Sequence, residues 1–275
     1  MRDIGLHLRV TKSLIDVLHK AIGYDVSFFQ CFFLYNKTRS RIQIQTAEVE
    51  QFLACRGNAF KQLYVHGSYW INLADSRRLF HPVLQQEIRL AQQLSFTHMV
   101  LHPGSLRAHE KKMQGIDALA RTINMIMYEE KDIIIVLENT AHGNRAIGSD
   151  IRDLRIILEK MEYPERVRFC IDTAHAFAYG YDIVSDCGRE HFITLLQATI
   201  GIENIALIHV NDSLSPYGSK IDHHAVLDHG YIKQEALKKI VLDPRLIHIP
   251  IILELPTITD QEETAILDQV YKWHQ

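Results

Sequence analysis

Short runs of β-branched and aromatic residues recur along this chain, and longer segments with helical periodicity fill the intervals between them. The runs cover 4–8, 26–33, 62–65, 98–101, 133–137, 167–171, 205–208 and 250–253. Helical spacing of apolar residues marks, among others, 83–94, 115–130, 149–161, 190–199 and 233–241. Nearly continuous apolar strands that alternate with amphipathic helices specify a parallel sheet covered by helices. Eight such units in 275 residues match an α/β fold of the (β/α)8 TIM-barrel type, one domain over 1–275, with its active site at the C-terminal ends of the strands. An open doubly wound sheet would carry a glycine-rich phosphate turn after its first strand. Ile4-Gly5-Leu6-His7-Leu8 leads into none.

Composition narrows the function classes. The 47% of apolar residues and 23% of charged residues exclude intrinsic disorder. Thirty Lys+Arg against thirty-three Asp+Glu give a net charge of −3, which excludes a bulk polycation but not a local basic groove. The four cysteines, Cys31, Cys55, Cys170 and Cys187, form no CxxC pair and read as free thiols in a reducing compartment. The opening residues lack a signal-peptide pattern, and no apolar run approaches the roughly 20 residues that span a bilayer. A cytoplasmic protein without a membrane partner is expected. Sixteen histidines are the outlier, since histidine is the commonest metal ligand.

The strand ends carry the chemistry. The third to fifth runs lead into His66, His102 and Glu138; the sixth leads into Asp172, with His175 three residues on; the last two lead into His209 and Glu254. All are good ligands for zinc or a similar dication. One polar residue after a strand is an ordinary loop start. Six on one rim would repel one another and be poorly solvated, and crowded carboxylates take up protons or bind metal. Asp222 and His224, two apart, share one side of an extended segment, which turns His223 away. With His175 they make a set of one carboxylate and two imidazoles that leaves coordination positions open, as catalytic zinc sites do. Nine ligands are too many for one ion and suit a cluster of three, with Glu138 shared between two.

The segment from Asp172 to Asp182, DTAHAFAYGYD, resembles the IDTxHxFAxGYD segment of the endonuclease IV family of zinc-dependent apurinic/apyrimidinic endonucleases. So do LHPGS from Leu101, LENTA from Leu137 and HVNDS from His209, while HGSYWINL from His66 and ILE ending at Glu254 are similar to its third-strand and last motifs. The resemblance implies that His66 and His102 hold one zinc ion. Glu138 would bridge it to a second, completed by Asp172, His209 and Glu254, and His175, Asp222 and His224 would hold a third. Three Zn2+ per chain are expected, with Mn2+ as an alternative occupant.

The implied reaction is hydrolysis of the phosphodiester bond 5′ to an abasic site in double-stranded DNA, a step of base excision repair that leaves a 3′-hydroxyl and a 5′-deoxyribose phosphate. Zinc lowers the pKa of a bound water from 15.7 toward about 7, so a hydroxide positioned by Glu138 would serve as nucleophile. Asn139, Asn211 and Asp212 are placed to hold the ligands in orientation. Tyr69 and Trp70, on the third-strand loop, are placed to stack or wedge into the duplex. Lys37, Arg39 and Arg41 suit phosphate contacts. The protein is expected to be a monomer, nucleoid-associated if bacterial.

One departure from the family is plain. Asp228-His229-Gly230 stands where the family usually has a GEG turn, which predicts a different approach of backbone to DNA. Two other readings compete. A metal-dependent sugar isomerase or epimerase of the xylose-isomerase-like barrel type shares the fold and some rim carboxylates, but would use fewer ions and acid–base groups for proton movement α to a carbonyl. A non-catalytic binder of DNA lesions would have no use for an open metal cluster.

Overall fold

The computed structural model describes residues 2–77 and 81–274; Met1, residues 78–80 and Gln275 lie outside it. Strands β1 (Ile4–Val10), β2 (Gln30–Tyr35), β3 (Tyr64–His66), β4 (His98–Leu101), β5 (Ile134–Glu138), β6 (Val167–Asp172) and β7 (Ile205–His209) run parallel in sequence order. A small antiparallel ribbon follows, β8 (Asp212–Ser213) against β9 (His224–Ala225), and then β10 (Ile251–Leu253) pairs with both β7 and β1 and closes the barrel. The expected eight-stranded parallel barrel is the observed one.

Helices α1 (Leu14–Gly23), α2 (Thr46–Arg56), α3 (Pro82–Gln93), α4 (Lys112–Glu129), α5 (Ile151–Leu158), α6 (Thr173–Tyr179), α7 (Asp186–Thr199), α8 (Gln234–Val241) and α9 (Asp260–Lys272) accompany the strands. Side-chain oxygens start several of them by accepting free N–H groups of the first turn: Ser13 for α1, Asp150 for α5, Ser185 for α7 and Thr259 for α9. Among the described residues no helix is long and apolar enough to cross a membrane. The four cysteines are unpaired.

The core has two compartments. The larger lies between the sheet and the helices, where outward residues such as Val65, Leu101, Ile135, Leu137 and Phe169 are buried. The smaller fills the barrel itself with Phe28, Tyr64, Val100, Val136, Cys170, Leu207 and Ile252. β1 contributes Gly5 there because a Cβ would stand 2.8 Å from the carbonyl oxygen of Phe28.

The second strand begins four residues later than its apolar run, which starts at Val26, and reaches Tyr35. Phe28 and Phe29 are apolar for a different reason. They precede the ladder, Phe28 dropping into the barrel and Phe29 packing edge-on against Phe60 and Phe96 outside it.

Candidate metal centre

Side chains of a strand alternate between its faces, so the residue two positions past an inward one also points inward. Tyr64, Val100, Val136, Cys170, Leu207 and Ile252 fill the barrel. Two residues on from each stand His66, His102, Glu138, Asp172, His209 and Glu254. The same step from Gly5 and Phe28 reaches His7 and Gln30. An apolar tier in the barrel is thereby capped by a polar one at its mouth. β6 passes directly into α6, and the Asp172 carboxylate accepts the backbone N–H of His175 at 2.7 Å, which sets that imidazole one turn above it. The ribbon pairs Ser213 with His224 and brings the loop after β7 back over the mouth.

Glu138 lies at the centre, fully buried. Its Oε2 is 3.1 Å from Nε2 of His66 and 3.2 Å from Nε2 of His102. Its Oε1 is 3.1 Å from Nδ1 of His209 and 3.3 Å from Nδ1 of His175. His209 Nδ1 also stands 3.3 Å from Glu254 and 3.8 Å from Asp172. Asp222 faces Nε2 of His175 at 3.2 Å and Nε2 of His224 at 3.1 Å. Among the described residues five groups have their donor atoms within 4.8 Å of one another: His66, His102 and Glu138; Glu138, Asp172, His209 and Glu254; Asp172, His175 and His224; His102, His142 and His175; and Glu138, Cys170 and His209. All nine expected residues are thus at one mouth.

Two atoms test whether the site suits cations. Nε2 of His175 and Nε2 of His224 are buried without a hydrogen-bond partner among the described residues. Buried polar atoms are rarely left so. Both point at the Asp222 carboxylate without hydrogen-bond geometry, as donors around a common focus do. The donor set of imidazoles and carboxylates fits zinc or a related dication.

Burial works against charge throughout, and the neighbours decide the outcome. Burial would raise Glu138, but His209 and His102 outweigh it and hold the carboxyl well below its usual range. Glu254 is held down against burial by His209 and His7. Burial prevails at Asp172, which is raised although His175 and His224 pull it down. His175 is raised well above its ordinary value, the cost of burial being exceeded by Asp172 and Asp222. His224 rises to about 9 because Asp172 and Asp222 overcome its burial. Without metal, therefore, protons on imidazoles balance the carboxylates.

Two polar groups of the mouth escape a reading of strand ends because they lie within apolar runs. His7 Nδ1 is 2.8 Å from Glu254 Oε1, and Gln30 donates to the same oxygen at 2.6 Å. Counting in twos from Gly5 finds His7. A third, His142, follows the LENTA motif; burial and His102 push it down to about 4.

The asparagines hold the donors. Asn139 exchanges hydrogen bonds with the Asp172 backbone, and its carbonyl faces Nδ1 of His175 at 2.8 Å. Asn211 donates to the Asp172 carboxylate and accepts the Glu254 N–H at 2.9 Å. Asp212 corrects the expectation made for it. Its carboxylate accepts backbone N–H groups of Gly230, Ile232 and Lys233, so it orders the turn after His224 rather than a donor. In that turn Asp228 itself adopts the left-handed conformation, with φ of 70°.

A cleft of about 570 Å³ opens above the donors, and Arg9, Arg39 and Tyr69 are among its lining residues. Tyr69 and Trp70 are 59% and 56% exposed. The Tyr69 ring lies 4.7 Å from Phe32, with the Arg39 guanidinium 5.7 Å from its centroid. Arg41 instead bonds Gln86 on α3, and Trp70, Lys37 and Arg41 do not line the cleft.

The family model of the xylose isomerase-like TIM barrels matches residues 18–273. The chain is 37% identical over 200 residues to a protein of Halorhodospira halophila named probable endonuclease 4, covering 70% of this chain and 66% of that one. It is 30% identical over 271 residues to the apurinic-apyrimidinic endonuclease of Caenorhabditis elegans, covering 96% of this chain and 68% of that one. It thus spans about two thirds of the length of each of these relatives. The crystal structure of endonuclease IV from Thermus thermophilus matches with a TM-score of 0.82 at 26% identity, covering 99% of this chain and 98% of that one. A barrel whose rim gathers these donors, with relatives of these names, belongs to the endonuclease IV family of enzymes within the xylose isomerase-like TIM barrels.

Proposed function

We propose that this chain is a zinc-dependent apurinic/apyrimidinic endonuclease that hydrolyses the phosphodiester bond 5′ to abasic sites in double-stranded DNA, leaving a 3′-hydroxyl and a 5′-deoxyribose phosphate. The observation that carries this reading is the convergence of nine histidine and carboxylate donors on one mouth, two of them with buried nitrogens that lack a hydrogen-bond partner among the described residues. His66, His102 and Glu138 would hold one ion. Glu138, Asp172, His209 and Glu254 would hold a second, and His175, Asp222 and His224 a third. Cations bound there supply Lewis acidity toward a phosphate and bring a coordinated water toward ionisation near neutral pH.

The chain's own groups prepare the site. Glu138 presents one oxygen to His66 and His102 and the other to His209 and His175, which sets the spacing between donor sets. The Nδ1–H of His175 donates to the Asn139 carbonyl and so turns Nε2 toward Asp222. Asn211 fixes Asp172 and Glu254 relative to each other. Tyr69, backed by Phe32 and Arg39, offers the duplex an aromatic face beside the cleft, and Lys37 and Arg39 offer charge to its phosphates. The protein would act as a cytoplasmic monomer.

The test is incubation of the zinc-loaded protein with a duplex carrying one abasic site. Incision on the 5′ side, lost with a chelator and restored by zinc, is expected. Intact duplex, or incision indifferent to the chelator, would overturn the proposal.

A further inference from the structure

His142 belongs to none of the three proposed zinc sites, yet its donor nitrogen lies within 4.8 Å of those of His102 and His175, which belong to two of them. Its Nε2 lies 3.2 Å from Nδ1 of His102 and 3.7 Å from the Asp222 carboxylate. Its ring centroid is 5.1 Å from that of His102 and 5.9 Å from that of His175. His102 turns its other nitrogen, Nε2, to Glu138 at 3.2 Å. A neutral imidazole has one free lone pair. A His102 that gives Nε2 to a cation therefore carries its proton on Nδ1. The atom facing that proton is Nε2 of His142.

The geometry points to His142 as a positioning residue that accepts the Nδ1–H of His102 and so fixes its tautomer and ring plane. The inference rests on the zinc reading above. Ligating histidines commonly hand their second N–H to a carboxylate, a carbonyl or a water, and here an imidazole takes that place. The loop is built to keep it there. The N–H of Gly143, at φ +71°, donates to the Lys220 carbonyl at 2.9 Å, and the N–H of Lys220 donates to the Ala178 carbonyl at 2.7 Å. The Lys220 ammonium also reaches the side chain of Asn144. The loop that carries His142 is thus bonded to the loop that carries Asp222, two residues beyond Lys220.

The experiment compares zinc-loaded wild type, His142→Ala and His142→Gln for zinc release to a chromophoric chelator, with melting of the metal-free proteins alongside. For His142→Ala, zinc from one site is expected to leave about 10- to 100-fold more readily. Its metal-free melting temperature should match the wild type, since the half-exposed ring is part of neither core compartment. His142→Gln, whose amide oxygen can accept the same proton, should recover most of the retention. Equal release from wild type and His142→Ala would overturn the inference and leave the zinc reading standing. A wild type that takes up no zinc would overturn both.

Discussion

The side-chain oxygen of Gln30 lies 3.1 Å from Nε2 of His209, on the opposite edge of the ring from the Nδ1 that meets Glu138 at 3.1 Å. An amide oxygen only accepts, so the proton of a neutral His209 is on Nε2, and Nδ1 is left with its lone pair facing the carboxylates. The Gln30 amide nitrogen reaches Glu254 Oε1 at 2.6 Å and His7 Nδ1 at 2.8 Å. One buried side chain thus sets the orientation of several neighbours.

Gln30→Leu keeps the bulk and removes every one of those bonds. Each buried polar atom left without a partner costs about 1–3 kcal/mol, so a loss on the order of 3 kcal/mol is expected in urea unfolding of the metal-free protein. A loss under about 0.5 kcal/mol would show that Gln30 orients nothing.

Much of this was legible in the sequence, and the exceptions have physical causes. His66, His102, Glu138, Asp172, His209 and Glu254 stand out because each breaks an apolar run at its end. His7 and Gln30 occupy the same tier of the mouth but lie inside runs, where the next residue outward is apolar again. The late start of β2 was hidden because Phe28 and Phe29 are buried by packing rather than by strand pairing. Asp212 sits in a polar motif beside Asn211, and only the fold of the 228–233 turn decides which backbone it serves.

Glu138→Gln should abolish incision while the barrel stays folded. The amide presents an N–H where an oxygen faces imidazoles at 3.1–3.3 Å on both sides. The loss should exceed the about 10–100-fold typical of residues that only orient a ligand. Nicking rate and far-ultraviolet circular dichroism together check it; a variant that keeps wild-type incision would refute the bridging role.

His224→Ala and His223→Ala should differ sharply. Nε2 of His224 is buried against Asp222 at 3.1 Å, whereas the exposed His223 lines the cleft but joins no donor group among the described residues. Incision is expected to fall by more than about 100-fold for the first and by less than about 3-fold for the second, by the same comparison of ligands with their surroundings. Elemental analysis should find one ion missing from His224→Ala alone. The reverse pattern would move the third ion to the other histidine.

Zinc uptake should release protons, because ligating imidazoles must be neutral. In the metal-free protein His224 titrates at about 9, above the ordinary value of 6.5. Its protonation therefore adds stability in full below about pH 6.5, and that contribution disappears as the pH rises through about 9. Calorimetric titration with zinc in two buffers of different ionisation heat should show proton release at pH 7.5 that shrinks toward pH 10. Equal heats in both buffers at pH 7.5 would contradict the paired charges of the metal-free cage.

Tyr69→Ala should weaken binding to an abasic duplex without changing metal content. Stacking between an aromatic side chain and a base is worth about 1–3 kcal/mol, so Kd should rise about 5- to 150-fold. Neutralising Lys37 or Arg39 should instead lower the salt dependence of binding by about one counterion each. Wild-type affinity in Tyr69→Ala would assign that ring to loop packing against Phe32.

Phe28, Tyr64 and their apolar neighbours stop up the barrel just beneath the donors. With that bung in place, ions, water and displaced protons all travel by the rim. A duplex lying across the rim would shut this doorway, so cations present when DNA arrives would be held captive until it departs.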